Sequence, residues 1–329
     1  MSAAGVASTA APLRVRIIEP NALDVERHAA LQQRVFGPIL EENGIPLSRL
    51  GAEVFAWKLA PPCGSARIAL VERDGELLSC CSAHPVELGA GDDRVRGWQL
   101  CDAATAPEAR GRGLFGRVLR ALRETTPPED WLFAFPNGQS RGTFVRDAFH
   151  LAARVPLWVR PVTSRASAAE VEGVAPIDRF GPEHDELAQR LAARGGLTAV
   201  RSAAYLTWRY LRHPFFRYQC FELRREGRVD GLLVLNRMEA RGRVSMWVME
   251  LLAVDRPGLA QLARAARSLA GAQRCDVVLS MSSTRLPGAV RLPACFLPKK
   301  HVLMVRSGGP GEPRPPGRWD VATGDWDAF

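Results

Sequence analysis

The spacing of apolar and polar positions changes several times along the chain, and each change predicts an element. Arg14 to Ile18 reads as a short strand. Asp24 to Phe36 reads as a helix whose apolar face is Val25, Ala29, Leu31 and Val35. Arg67 to Glu72 and Glu76 to Val86 are apolar runs joined by Asp74-Gly75, the composition of an antiparallel hairpin. Gly89 to Arg94 is polar and turn-rich, and Trp98 to Thr105 is another strand. The period then lengthens: Leu114, Val118, Leu119 and Leu122 share one face of a helix that starts near Gly113 and ends before Pro127-Pro128. Trp131 to Phe135 is a short apolar strand. Strand, glycine turn, helix, strand is the order of a crossover unit, so 98–105 and 131–135 are expected to be parallel neighbours. A helix over Ser140 to Phe149 and a strand over Val155 to Val159 close this set.

A second set follows a stretch rich in Ala, Ser and Glu from Thr163 to Gly173, which reads as a linker. Glu183 to Ala193 is a helix, and Tyr205 to Leu211 is crowded with large groups. Gln219 to Arg224, Gly231 to Met238 and Val244 to Val254 are three sequential strands. Leu259 to Leu269 is helical in period, and Val277 to Ser280 and Val302 to Val305 complete a sheet. Gly308 to Gly317 is rich in Pro and Gly and reads as irregular, whereas Trp319 to Phe329 returns to bulky residues that can dock onto the body. The fold class is therefore α/β, a mixed α+β arrangement of two tandem domains. Each is a mixed antiparallel and parallel sheet flanked by helices. The expected boundaries are 13–162, a linker at 163–175, and 176–329. The two halves share an order of elements, which suggests a repeated fold.

Composition narrows the function. Apolar residues make up 47% and charged residues 24%, the profile of a folded soluble chain. No eighteen-residue apolar run and no basic-then-apolar start occurs, so neither a membrane span nor a secretory signal is expected, and the location is expected to be cytoplasmic. The seven cysteines are scattered without a C-x-x-C pair, so no metal site is expected and buried thiols are the better reading. The net charge of +9 rests almost entirely on arginine, the lysines being Lys58, Lys299 and Lys300. Such a surface attracts anions, but no nucleic-acid-binding motif accompanies it.

The segment Arg110-Gly111-Arg112-Gly113-Leu114 gives the anion a place. The first N–H groups of a helix have no internal partner and carry the positive end of the dipole, so an anion satisfies them. Gly111 and Gly113 permit close approach, and Arg110 and Arg112 can add charge-assisted contacts. Neither a Walker A loop nor a dinucleotide fingerprint fits: no Gly-Lys-Ser/Thr follows, and the preceding strand sits late, after antiparallel strands. With Arg110 in first place, Gly113 fourth and Phe115 sixth, the segment resembles the signature of the Gcn5-related N-acetyltransferase (GNAT) superfamily. Phe115 departs from a position usually small, although Gly116 follows it. The resemblance extends to a tandem-domain subgroup through Phe135-Pro136-Asn137, Trp208-Arg209-Tyr210-Leu211-Arg212-His213-Pro214 and Gly324-Asp325-Trp326-Asp327.

That resemblance implies an acyl-CoA-dependent N-acyltransferase, with acetyl-CoA or another acyl-CoA as the co-substrate. The implied acceptor is the amine of a small metabolite such as an amino sugar or an amino-acid-like compound. Ala103, Ala104, Thr105, Arg110 to Phe115, Asn137, Ser140 and Phe144 are then expected along the cofactor, and the absence of an equivalent turn at Asp255 to Gly258 implies one cofactor per chain. The base is left open. His84 ends the hairpin near the expected acceptor, and histidine is the residue type that changes charge nearest neutrality. Cys101 can serve as a nucleophile or be a buried small residue. Asp102 and Glu87 are carboxylate candidates. Glu87, Arg209, His213 and Asp325 are candidates for holding the acceptor, although the aromatics beside them read as core. A non-catalytic acyl-CoA sensor and, less favoured, a protein acetyltransferase are the alternatives; the chain is expected to be a monomer or homodimer.

Overall fold

The periodicities resolve into two sheets in a computed structural model that describes residues 12–91, 93–163, 170–193, 196–240, 242–297, 301–307 and 318–326. Asp327 and the Pro/Gly-rich 308–317 lie outside the described residues. In chain order the elements are β1 (Arg14–Ile18), α1 (Ala22–Glu42), α2 (Ala52–Lys58), β2 (Arg67–Arg73), β3 (Glu76–Ala90), β4 (Asp93–Thr105), α3 (Leu114–Glu124), β5 (Trp131–Ala134), α4 (Arg141–Arg146), β6 (His150–Arg154) and β7 (Leu157–Pro161). There follow β8 (Val174–Ile177), α5 (Pro182–Ala192), β9 (Thr198–Ala199), α6 (Ala203–Leu206), β10 (Gln219–Arg225), β11 (Arg228–Ala240), β12 (Arg243–Ala253), α7 (Arg256–Ala272), β13 (Val277–Met281), β14 (Val290–Arg291) and β15 (Val302–Ser307).

The two sheets have one architecture. The first runs β1-β2-β3-β4-β5-β15-β6, with β9 added on β3, and the second runs β8-β10-β11-β12-β13-β7-β14. In each, four antiparallel strands meet one parallel pair, β4 with β5 or β12 with β13, as the crossover order requires. The strands predicted at 155–159 and 302–305 are present but exchanged. β15 lies between β5 and β6 of the first sheet, with Met304 opposite Ala134 and Leu303 opposite Ala153. β7 takes the equivalent place in the second sheet, between β13 and β14. Alternation and apolarity mark a strand and its buried faces but do not name its neighbour. Val302 to Val305 are all buried, as an interior strand requires.

Helix α3 presents Leu114, Val118, Leu119 and Leu122 to the first sheet, and all four are buried beside Leu70, Leu78 and Leu100. Each such side chain stabilises the fold by roughly 1.5–3 kcal/mol. Helix α7 does the same for the second sheet with Leu262, Ala263 and Ala266. A third cluster fills the seam between the sheets, where Leu88, Phe133 and Leu303 meet Trp319, Val321 and Trp326 of the C-terminal segment. The predicted docking of that segment is thus met over 318–326. Gly324 makes it possible: a Cβ there would stand 1.9 Å from the Tyr210 hydroxyl.

Candidate active site

The parallel pairing of β4 and β5 stops at Leu100 and Ala134, yet β4 continues to Thr105. β5 ends there, and a gap lies between the far end of β4 and the loop from Asn137 to Ser140 that follows β5. Just beyond Leu100, β4 is bulged: between the Ser82–Cys101 and Cys80–Ala104 pairs it has two residues, Asp102 and Ala103, against one on β3. Asp102 takes a φ of 51°, a left-handed conformation that Asp tolerates better than most residues. Its carbonyl, released from the ladder, accepts from Gln32 Nε2 of α1 at 2.5 Å.

The glycine turn stands at the outer end of this gap. Gly113 is the N-cap of α3, with φ 70° and no side-chain cap, so the first N–H groups of the helix keep their capacity for an external acceptor. Gly111 also has positive φ, and a Cβ at either glycine would meet nothing within 4 Å, which leaves the approach open. A groove of about 870 Å³ runs from here along Ala103, Ala104 and Thr105 to Asn137 and Ser140. Arg110, Gly111, Gly113, Leu114 and Phe115 line it; Arg112 is exposed but outside the lining. Asn137 Oδ1 accepts from the backbone N–H groups of Gln139 and Ser140 and so shapes the loop after β5. Phe144, expected on the groove, is instead buried in the core, and Thr143 lines the wall. Phe115 meets Phe144 edge-on at 5.6 Å, which explains the large residue at a place the superfamily keeps small: it closes the floor between α3 and α4. At the equivalent tip of α7 the Asp255 carboxylate accepts from Gly258 N–H, so this chain's own anion occupies the position that Gly113 leaves open.

Inward of the bulge lies a buried charge cluster. Asp102 Oδ1 accepts from Lys58 Nζ at 2.6 Å and Oδ2 accepts from Ser82 Oγ at 2.9 Å. His84 Nε2 is 2.8 Å from Ser82 Oγ and 3.6 Å from Asp102 Oδ2. Because the Ser82 hydroxyl donates to Asp102, its oxygen accepts a hydrogen bond from His84 Nε2–H, which leaves Nδ1 as the nitrogen with a lone pair. Burial works to raise the Asp102 carboxyl, but the Lys58 ammonium, then His84, outweigh it and hold it well below the usual carboxylate range. His28, fully buried behind the cluster, is pushed down to about 4 by burial, against the pull of Asp102, and is therefore neutral at pH 7.

A small cavity of about 50 Å³ adjoins the cluster, lined by His84, Cys101 and Gln99 from the first sheet. Its other walls come from Trp57 and Lys58, from Tyr205, Trp208 and Arg209, and from Asp325 and Trp326. Trp57 and Trp208 stack at 4.8 Å, and each indole N–H donates to the other's backbone carbonyl, at 2.9 and 3.0 Å. This reciprocal pair joins α2 to the turn after α6.

Of the proposed acceptor ligands, Arg209 and Asp325 reach this cavity, but both are committed to structure. Arg209 donates to the carbonyls of Gly324 and Trp326, and Asp325 accepts from Arg201 at 2.8 Å and from Ala322 N–H. His213 Nδ1 accepts from the N–H groups of Phe215 and Phe216, and its ring packs on Trp57. Burial and then Arg209 push it down to about 3, so it is a neutral turn anchor. Glu87 is exposed, pairs with Arg94 and lies on neither cavity.

Several neighbours were not anticipated from sequence: Lys58, Ser82, Gln32 and His28 around Asp102, and Val35, Phe36, Arg120 and Arg146 along the groove. Lys58 carried a signal, being the only lysine before Lys299 in an arginine-rich chain. Among the described residues no group of three or more His, Cys, Asp or Glu could hold a metal, and no helix is long and apolar enough to cross a membrane. The cysteines form no disulfide; Cys80, Cys81, Cys101, Cys220 and Cys275 are buried, Cys63 is half-buried and Cys295 is exposed.

Residues 16–135 match a family model described as an acetyltransferase (GNAT) domain. The fold is similar to that of a GCN5-related N-acetyltransferase from Anabaena variabilis, with a TM-score of 0.66, 14% identity, and coverage of 90% of this chain and 73% of that one. A GCN5-related N-acetyltransferase from Kribbella flavida is similar at a TM-score of 0.58 and 14% identity, over 90% of this chain and 72% of that one. No curated protein matches the chain.

Proposed function

We propose that this chain, whose residues 16–135 match a GNAT acetyltransferase domain, is an acyl-CoA-dependent N-acyltransferase of that superfamily whose acceptor is the amine of a small metabolite. Amino sugars and amino-acid-like compounds are the proposed class, and the proposed location is the cytoplasm. The observation that carries the reading is the order of parts along β4: an uncapped helix N-terminus opens on a groove that reaches Ala103, and a buried acid–base cluster is built on the next residue, Asp102. The groove's size and open glycine turn fit a pyrophosphate with a narrow arm. When bound, acyl-CoA supplies a thioester carbonyl open to attack and a thiol leaving group.

In this reading Arg110 and the backbone of Gly111 to Leu114 hold the pyrophosphate, and Ala103 to Thr105 with Ser140 flank the arm. A backbone N–H at the bulge near Cys101 to Ala103 serves the developing oxyanion in this reading. His84 Nδ1 takes the proton that the attacking amine must lose, while Ser82 and Asp102 fix the ring and stabilise its charged form. Lys58 keeps Asp102 ionised. Cys101 lines the cavity as a small wall residue.

Release of thiol from acetyl-CoA and longer acyl-CoAs with a panel of amines tests the reading. The small volume of the cavity beside the cluster, about 50 Å³, favours a second one, a module that binds acyl-CoA without transferring the acyl group. Tight binding with no thiol release across the panel would establish that alternative. Two variants address the parts separately. Arg110→Glu puts a negative charge at the pyrophosphate and is expected to weaken acyl-CoA binding by about tenfold or more, as loss of a charge-assisted hydrogen bond implies. Calorimetry giving the wild-type affinity would remove the anion-site assignment. His84→Ala is expected to lower turnover on the order of 100-fold. Full turnover from pH 6 to 9 would sink the role of His84 as base.

A further inference from the structure

We propose that the second sheet carries a separate binding site for a small polyphosphate anion, in the groove between the exposed face of α7 and the strand β7. The groove measures about 610 Å³ and is walled by Pro257, Ala260, Gln261, Arg264 and Arg267 of α7, with Arg225 at one end. Arg160 of β7 and the Pro287–Gly288 loop form the opposite wall. Four guanidinium groups thus face one concavity. Arg225 is neutralised by Asp255 at 2.7 Å. Among the described residues, Arg160, Arg264 and Arg267 are in no ion pair, although the chain pairs many of its other arginines.

The site is built rather than incidental. Arg160 Nη1 donates to the Pro287 carbonyl at 2.9 Å, which fixes the guanidinium against the loop. Gly288 has a φ of 74°, and a Cβ there would stand 2.0 Å from Arg160 Nη1, so a glycine is what lets this arginine lie across the loop. Arg160 and Arg267 are close enough to repel: burial first, and then the charge of Arg267, lower the basicity of Arg160. Like charges held together without a counter-ion raise the free energy of the empty groove, and a bound anion relieves it. Three unpaired cations on two facing walls match an anion of several charges, and guanidinium groups bind phosphate oxygens in pairs. The tip of α7 is excluded as the contact, because the Asp255 carboxylate already occupies it. The recognition is therefore by side chains along the helix flank, unlike that proposed for the first groove.

The test is calorimetric titration of inorganic pyrophosphate into the full chain saturated with coenzyme A, which fills the first groove. The expected result is one remaining pyrophosphate site per chain. In Arg264→Gln/Arg267→Gln its affinity is expected to fall at least tenfold, with coenzyme A affinity and melting temperature unchanged. Ala260→Glu, which puts a carboxylate on the same exposed face, is expected to do the same. No saturable binding, or equal affinity in both variants and the parent chain, overturns the proposal. Repeating the titration in Arg110→Glu without coenzyme A keeps the outcome independent of what the first groove binds.

Discussion

Lys58→Met is expected to cost about 3–5 kcal/mol in urea denaturation, because it removes the cation from a buried carboxylate and leaves Asp102 uncompensated. The side chains of Lys58 and Asp102 are only 12% and 8% exposed, so water cannot take over the role of either. Asp102→Asn combined with Lys58→Met is expected to regain most of the loss, since a neutral amide no longer needs a cation. A double variant no more stable than Lys58→Met would show that Lys58 acts through packing and not charge. Acid sharpens the test. The folded Asp102 carboxyl is held well below the ordinary range, whereas an unfolded one titrates near about 4. Its contribution is therefore complete above about pH 5 and is lost as the pH falls from there toward the folded value. Lys58→Met should flatten that slope, and an unchanged slope would assign the acid sensitivity elsewhere.

Arg201→Met is the second variant with a large expected effect, again about 3–5 kcal/mol, but read at the seam. Arg201 donates to Glu250 Oε1 at 3.2 Å, to Asp325 Oδ1 at 2.8 Å and to the Ala199 carbonyl at 2.6 Å. Tyr210 adds a hydrogen bond to the same Glu250 oxygen. Glu250 is fully buried, and its carboxyl is raised by that burial against the opposing pull of Arg201. Without Arg201, two carboxylates share a dry pocket with the C-terminal segment. Amides of 318–326 should then exchange with deuterium much faster than those of β12, because Asp325 loses the contact that ties the segment to the second sheet. Protection equal to the parent chain would show that Trp319 and Trp326 hold the segment without the ion pair.

Much of this site was legible in sequence because it is local. The glycine turn, the amphipathic run from Leu114 to Leu122 and the parallel pair around them are encoded within about forty contiguous residues by periods and breakers. What resisted reading depends on contacts between distant residues. Helix α2 has seven residues, too few for a period to declare itself, and it carries both Trp57 and Lys58. Ser82 looked like one more strand residue, and only pairing with the bulged β4 brings it to Asp102. Arg209 and His213 stand in one unusual motif and Asp325 in another, but neither motif says whether polar groups face a ligand or each other. The hydrogen bonds show the latter for most of their atoms. Phe144 enters the core for a simpler reason: on a helix of six residues, neighbours such as Thr143 and Phe144 point about 100° apart, and so short a sequence does not set the rotation.

The exchange of β7 and β15 has a consequence for how the chain is made. The first sheet is interrupted between β5 and β6 until Val302 to Ser307 arrive, some 170 residues after Ala134. At ribosomal rates of about 5–20 residues per second, a nascent chain waits on the order of ten seconds or more with those two edges unpaired. Apolar strand edges are templates for wrong partners, including the same strand of a neighbouring chain. The first groove flanks β5, so the half of the protein that emerges earliest is the half that matures last. A chaperone that shields nascent strand edges, or a slow stretch of translation after β6, would act on this interval and on no later one.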